Sequence, residues 1–210
     1  MLLTGFEPYG GHDINPSTEI VRALDGATIM GMRVTGRILP VIYDGMAERV
    51  QALIDEESPR AVICLGLDPG EWAIRLERVA ANALDFEIAD NAGEILQGPV
   101  AKDGADILHS TLPLEEIEAR LRAENIPVRG SDDAGRYLCN AVMYLALSAA
   151  ARRTPPPPCG FIHLPFLPKQ AGTDASLTLE TMVEAVRIAI TATMEGCQTN
   201  SRNSVFSTLP

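Results

Sequence analysis

The sequence is short of several things, and each shortage narrows what the chain can do. It has 17 basic residues against 28 acidic ones, a formal net charge of −11. A surface with that balance repels nucleic-acid phosphates and anionic lipid alike, so neither is expected as a partner. No apolar run reaches membrane-spanning length, and Met1-Leu2-Leu3-Thr4-Gly5-Phe6 lacks the basic start and long apolar stretch of a secretory leader. The expected location is the cytoplasm. Neither a phosphate loop nor a dinucleotide-binding fingerprint occurs, which leaves a nucleoside- or phosphate-binding α/β protein without support. Cysteine is sparse: Cys64, Cys139, Cys159 and Cys197 show no CxxC and no zinc-type spacing. In a cytoplasmic chain these are reduced thiols. Histidine is sparser still, at His12, His109 and His163.

What is present is an ordinary globular composition, 46% apolar and 21% charged over 210 residues, enough for one well-packed domain. Leu2 and Leu3 open a short strand ending at Gly5. Asn15-Pro16 starts a helix to about Leu24, with a capping side chain and a proline at the first helical position. Residues 28–43 read as one or two strands around Gly36, and 45–57 as a helix with Met46, Val50, Leu53 and Ile54 on one face. Ala61 to Gly66 is a buried strand, and 72–80 alternates like a two-faced strand. Residues 90–104, rich in Gly, Asp and Asn, form an irregular excursion. Then come a helix at 114–125, a strand at 126–128, a helix at 135–153 ended by Pro155 to Pro158, a strand at 160–164 and a helix from about Ser176 to Glu195 closed by Gly196. The expected fold is a single-domain, three-layer α/β/α sandwich over 1–196 with a central, mostly parallel (mixed) sheet. Residues 197–210 read as a polar, disordered tail.

In such a sheet, ligands collect at the loops after the strands' carboxyl ends. Three of these loops carry chemistry. Phe6 to Gly11 is one. The second is the turn Ser131 to Tyr137, which delivers Cys139 into the first turns of a helix. Unpaired amides and a partial positive charge there stabilise a thiolate and suit an oxyanion. The third is the end of the strand carrying His163, braced by Pro165 and Pro168. A thiol nucleophile needs a base to take its proton and return it to a leaving amine, and imidazole does both near neutral pH. His12 reads as a solvated loop residue and His109 as half buried in an alternating strand. A carboxylate should orient the imidazole. Glu77 is a candidate because it sits in an apolar stretch where an unpaired charge is costly; its other reading is an outward-facing residue paired with Arg75 or Arg78. Cys64 reads as core packing, and Cys139 and His163 each have the same structural alternative.

Four motifs lie in one order: Thr4-Gly5-Phe6-Glu7-Pro8-Tyr9-Gly10-Gly11 with Asn15-Pro16; Glu77-Arg78-Val79-Ala80-Ala81-Asn82 followed by Asp90-Asn91; Ser131 to Asn140; and Gly160 to Pro168 with Gln170. Together they resemble the pyroglutamyl peptidase I family, cysteine peptidases that remove an N-terminal pyroglutamate, over nearly the whole chain. The resemblance implies Cys139 as nucleophile, His163 as base and then acid, and Glu77 as the group orienting His163. It implies Phe6 and Tyr9 as aromatics holding the uncharged lactam ring, no metal or cofactor, peptides with N-terminal pyroglutamate as substrates, and a homo-oligomer, tetramer or dimer.

The chain departs from the family pattern beside that site. Arg75 stands where the family usually has Ser or Thr, Glu87 where it has arginine, Ala89 where it has proline, and Glu71 where a basic residue is common. The expectation is that a guanidinium near the site has shifted from the position of Glu87 to Arg75, keeping the local charge. The alternative is an altered pocket that cleaves a related N-terminal cap or only binds it.

Overall fold

The computed structural model describes residues 1–172 and 175–206, the backbone alone from 198 onward. Strand β1 (Leu2–Phe6) leads to helix α1 (Pro16–Leu24). There the Asn15 side chain accepts from Ser17 N at 3.1 Å and Pro16 fills the first helical position. A small hairpin, β2 (Thr28–Ile29) and β3 (Met32–Arg33), precedes β4 (Thr35–Leu39), α2 (Met46–Glu57) and β5 (Val62–Leu67). Next come β6 (Ile74–Glu77) and β7 (Val79–Ala81), then β8 (Leu84–Asp85) and β9 (Gln97–Gly98), which pair across the irregular excursion, and β10 (Ile107–His109), which pairs with β7. The last third holds α3 (Leu114–Ala123), β11 (Val128–Ser131), α4 (Leu138–Ala151), β12 (Cys159–Leu164), the short α5 (Pro168–Ala171) and α6 (Leu179–Phe206).

The expected three-layer sandwich is what forms. Six strands lie in the order β11-β6-β12-β5-β1-β4, with every pairing parallel except β6 against β12. Strand β5 sits inside the sheet and is buried along its whole length, because it is covered on both faces; hence its unbroken apolar run. Ile63 and Leu65 face a core shared with α1, α3 and α6, while Val62 and Cys64 face one shared with α2 and α4. Helix α4 is apolar nearly all round because it packs against the sheet on one side and against α2, β7 and β10 elsewhere. The carboxyl ends of β1, β5 and β12 share one edge of the sheet.

Several boundaries differ from the sequence expectation, each for a local reason. The strand expected at 126–128 runs Val128–Ser131, since Pro127 has no N–H to give the ladder and only its carbonyl pairs, with Ile74 N at 2.9 Å. The helix expected from Gly135 starts at Leu138. Gly135 has a φ of +79°, and the Asp133 side chain accepts from Gly135 N at 3.0 Å, so 131–137 is turn. The single strand expected at 72–80 is two: Arg78 N turns to Ser131 O at 2.8 Å, and β7 leaves the main sheet to pair with β10. Helix α6 does not stop at Gly196 but continues to Phe206, through much of the segment expected as a tail. The expectation for 207–210 lies outside the described residues.

Asn140, fully buried, fastens α4 to the neighbouring β-structure. Its Oδ1 accepts from Ala81 N at 2.8 Å and its amide donates to Ala81 O and Ala83 O, both at 2.9 Å. Asn140→Ala would strand those buried backbone groups, so a loss of about 2–3 kcal/mol is expected in urea unfolding monitored by circular dichroism.

Candidate active site

Alternation along β6 sends Ile74 and Leu76 into one core and Arg75 and Glu77 to the opposite face. The antiparallel register sets Arg75 across from His163 and Glu77 across from Phe161, so all four side chains share that face. Glu77 is 0% exposed and His163 3%. His163 Nδ1 lies 2.7 Å from Glu77 Oε1, with Nδ1–H donating to the carboxylate. This tautomer leaves Nε2 for Cys139, with which the imidazole is also hydrogen-bonded. Cys139 is 8% exposed and occupies the second position of α4. No side chain caps that helix, so its first-turn amides keep the open donors expected of a helix start. The three residues named for catalysis therefore converge from β6, β12 and α4.

Electrostatics follow the geometry. Burial disfavours a charged imidazole, but Cys139 first and Glu77 next outweigh it, and the His163 pKa is raised from 6.5 to about 9. Burial likewise pushes Glu77 up, and its bond to His163, with Ser131 and Arg75 adding, brings it below the ordinary carboxylate value. Among the described residues Glu77 Oε2 has no hydrogen-bond partner. Ser131 neighbours Glu77 in the β11–β6 register, and its hydroxyl oxygen lies 3.1 Å from Asp133 O.

Space for the thiol comes from Gly66, across from His163 in the β12–β5 register. A Cβ there would stand 2.7 Å from Cys139 Sγ and 2.7 Å from Phe161 Cζ. Cys64, one step along the same face, is held inert by burial, which pushes its thiol up to about 11; burial raises Cys159 as well. These two alternate-row neighbours are both free thiols.

Of the aromatics named for the lactam, Tyr9 stands beside the thiol: burial first, then the charges of Cys139 and Asp68, push its phenol well up, and its hydroxyl donates to Leu67 O at 3.2 Å. Phe6 is buried in the same apolar cluster as Cys139. Sequence reasoning missed Tyr137 and Phe86. Tyr137 lies 5.8 Å from Tyr9 and 4.5 Å from Phe86, ring centre to ring centre, and its hydroxyl donates to Ala89 O at 3.2 Å. The residue just before the Cys139 helix was the available signal for Tyr137; nothing local marks Phe86. Other motif residues turn out to brace loops. Glu7 Oε1 accepts from Val41 N and Asn91 Nδ2, Asp90 accepts from Tyr43 N, and Gln170 donates to Ile14 O. They hold the 7–15 loop and the excursion over this edge of the sheet.

The other expectations divide. Arg75 reaches the site, with Nε 2.6 Å from Glu77 Oε1, whereas Glu87 is exposed. Arg78 pairs with Asp132 instead of Glu77. Glu71 is buried in a fork with Arg129 and accepts from Trp72 N and Ala73 N. His12 is not a freely solvated loop residue; its ring packs edge-on to Phe166 at 5.2 Å. His109, expected half buried, is exposed at the end of β10.

A thiol at a helix start, bonded to an imidazole that a buried carboxylate orients, within an α/β/α sandwich, defines a cysteine-type hydrolase. The profile of the pyroglutamyl peptidase family matches residues 1–196. The pyrrolidone-carboxylate peptidase of Pyrococcus furiosus is 39% identical over 203 residues, 93% of this chain and 98% of its own length. That of Chromobacterium violaceum is 41% identical over 194 residues, 90% of each chain. A solved structure of a mutant pyrrolidone carboxyl peptidase from Pyrococcus furiosus matches with a TM-score of 0.90 at 39% identity, over 93% of this chain and 98% of that one. The chain belongs to the pyroglutamyl peptidase family.

Two outcomes follow from this geometry. Gly66→Ala should displace Cys139 or Phe161, costing about 1–3 kcal/mol in urea unfolding and slowing alkylation of Cys139 by iodoacetamide measured by mass spectrometry. Because the folded-state pKa of His163 lies above its ordinary 6.5, its protonation favours the folded state. That contribution is complete below about pH 6.5 and lost as pH rises through about 9. Melting temperatures scanned from pH 6 to 10 should show this decline in the wild type and not in His163→Gln.

Proposed function

We propose that the protein is a pyroglutamyl peptidase, hydrolysing the amide bond that follows an N-terminal pyroglutamyl residue. The observation that carries this reading is the Glu77–His163–Cys139 alignment at the start of α4, in a chain of that family. Cys139 is the nucleophile. Its thiolate attacks the carbonyl carbon joining the lactam residue to the rest of the peptide, and the first-turn amides of α4 receive the oxyanion. As the C–N bond breaks, His163 gives its Nε2 proton to the leaving amine, and the shortened peptide departs from a thioester. Water then attacks that thioester, passes a proton to His163, and the C–S bond breaks to release pyroglutamate and the thiolate. Glu77 holds Nδ1–H, which keeps Nε2 facing the sulfur throughout.

The aromatic wall of Phe6, Tyr9, Tyr137 and Phe86 suits a flat ring with no charged amine, and such a wall disfavours an ordinary ammonium terminus through its desolvation cost. Tyr9 and Tyr137 stay neutral hydroxyls; burial raises both, Tyr137 to about 12. We further read the protein as cytoplasmic and as a homo-oligomer, dimer or tetramer. The unbridged thiols of Cys64, Cys139 and Cys159 fit a reducing compartment, and Ile95 and Ile107, both more than half exposed, are apolar surface that subunit contact would cover. Among the described residues no helix is long and apolar enough to cross a membrane.

Release of a fluorescent amine from a pyroglutamyl amide tests the reading. Turnover is expected in the reduced wild type and abolished in Cys139→Ala, with the corresponding prolyl or glutamyl amide left intact. A folded, reduced wild type that releases nothing, yet melts higher with pyroglutamate, would make the protein a binder of the cap and defeat the proposal.

A further inference from the structure

The site contains a second cation whose placement is unusual. Arg75 Nε and His163 Nδ1 contact the same oxygen, Glu77 Oε1, at 2.6 and 2.7 Å, while Oε2 has no hydrogen-bond partner among the described residues. Arg75 Nη2 is 3.3 Å from His163 Nδ1, and with Nδ1 protonated both groups present N–H to each other, so the contact is repulsive. The guanidinium is not a loose surface group; its side chain is 14% exposed. Nη1 is paired with Asp68 Oδ2 at 2.5 Å and lies 3.7 Å from Glu71 Oε2, and Nη2 donates to Asp133 O at 3.2 Å. It thereby ties the loop after β5, the catalytic carboxylate and the turn leading to Cys139.

We propose that Arg75 is a positioning residue that sets the proton affinity of His163, by sharing Glu77 Oε1 with the imidazole and weakening the carboxylate's hold on the imidazolium. The inference rests on the reading of His163 as the acid and base of the site. An imidazolium held by an unshared buried carboxylate would be a poor donor to the leaving amine, and a second cation on the same oxygen corrects that. The charged and titratable groups around His163 can be named from every side. Strand β6 supplies Arg75 and Glu77, α4 Cys139, the loop after β5 Asp68 and Glu71, β11 Arg129 on Glu71, and the loop after β1 Tyr9 beside Cys139. The carboxylates of Asp68, Glu71 and Glu77 face the guanidiniums of Arg75 and Arg129, which leaves one net negative charge for the imidazolium to meet besides the Cys139 thiolate. Without Arg75 it would meet two besides that thiolate.

The test is the pKa of His163, measured by NMR on protein carrying 13C-labelled histidine, beside the pH dependence of kcat/KM on a pyroglutamyl amide. In Arg75→Gln the His163 pKa and the alkaline limb of the profile are expected to rise together by about one pH unit. Arg75→Lys, which keeps the charge, should hold both near the wild-type position even where kcat falls. Arg75→Met, which also removes the charge, should raise both in the same way and decides the matter if Arg75→Gln fails to fold. A merely structural Arg75 would lower kcat with the limb and the NMR titration unmoved in Arg75→Gln or Arg75→Met, and that result overturns the proposal. The NMR readout needs no turnover, so an inactive wild type would defeat the peptidase reading while leaving the effect of Arg75 on His163 separately measured.

Discussion

A carboxylate with no exposed surface is the constraint on which the rest of this site depends. Buried without partners, Glu77 would either take up a proton or destabilise the fold, because the interior offers a charge far less solvation than water does. The structure answers with two cationic side chains on one of its oxygens: His163 from the antiparallel neighbour and Arg75 from two residues earlier on the same strand. Once the imidazole is held by Nδ1, its other nitrogen has a fixed direction, and the start of α4 occupies that direction with Cys139. The orientation of the imidazole toward the Cys139 thiol is thus a by-product of keeping one buried charge satisfied.

The mixed character of the sheet makes this possible. In a wholly parallel sheet the carboxyl ends of neighbouring strands would supply the site from loops. Here β6 runs against β12, so residues inside the two strands, and not only their tips, meet beside Cys139. Glycine at position 66 of β5 then leaves the hollow into which the sulfur fits. Side chains carried on strands and a helix are positioned more rigidly than loop residues, and the loops carrying Tyr9 and the 86–92 segment are in turn braced by Glu7, Asp90 and Asn91. The thiol–imidazole pair and the aromatic cluster of Tyr9, Tyr137 and Phe86 are thus held by different hydrogen-bond networks.

The departures from the family pattern are informative in that light. Glu71 and Arg75, separate oddities along the chain, belong to one cluster with Asp68 and Arg129, so they are better understood together than singly. Glu87, by contrast, lies exposed and outside this cluster. A cleft of about 740 Å³, lined by Arg153 and Pro155 to Pro158, opens at the other edge of the sheet, where β5 and β12 begin. Cys139 is not among the residues that line it.

Much was legible in the chain itself. Local patterns determined the alternation of strands and helices, the burial of β5, the Asn15–Pro16 helix start and the placing of Cys139 at a helix start, because each depends on neighbours close in sequence. The four motifs in order were enough to name the family and the three catalytic candidates. What only the tertiary structure decided was how distant groups meet. The antiparallel seating of β6, the two cations sharing Glu77 Oε1, the joining of Glu71 to Arg75, and the recruitment of Tyr137 and Phe86 to the wall of Tyr9 all depend on strand order and register. Those are set by the burial of two whole core layers at once, a sum over the entire chain that no local stretch of residues contains.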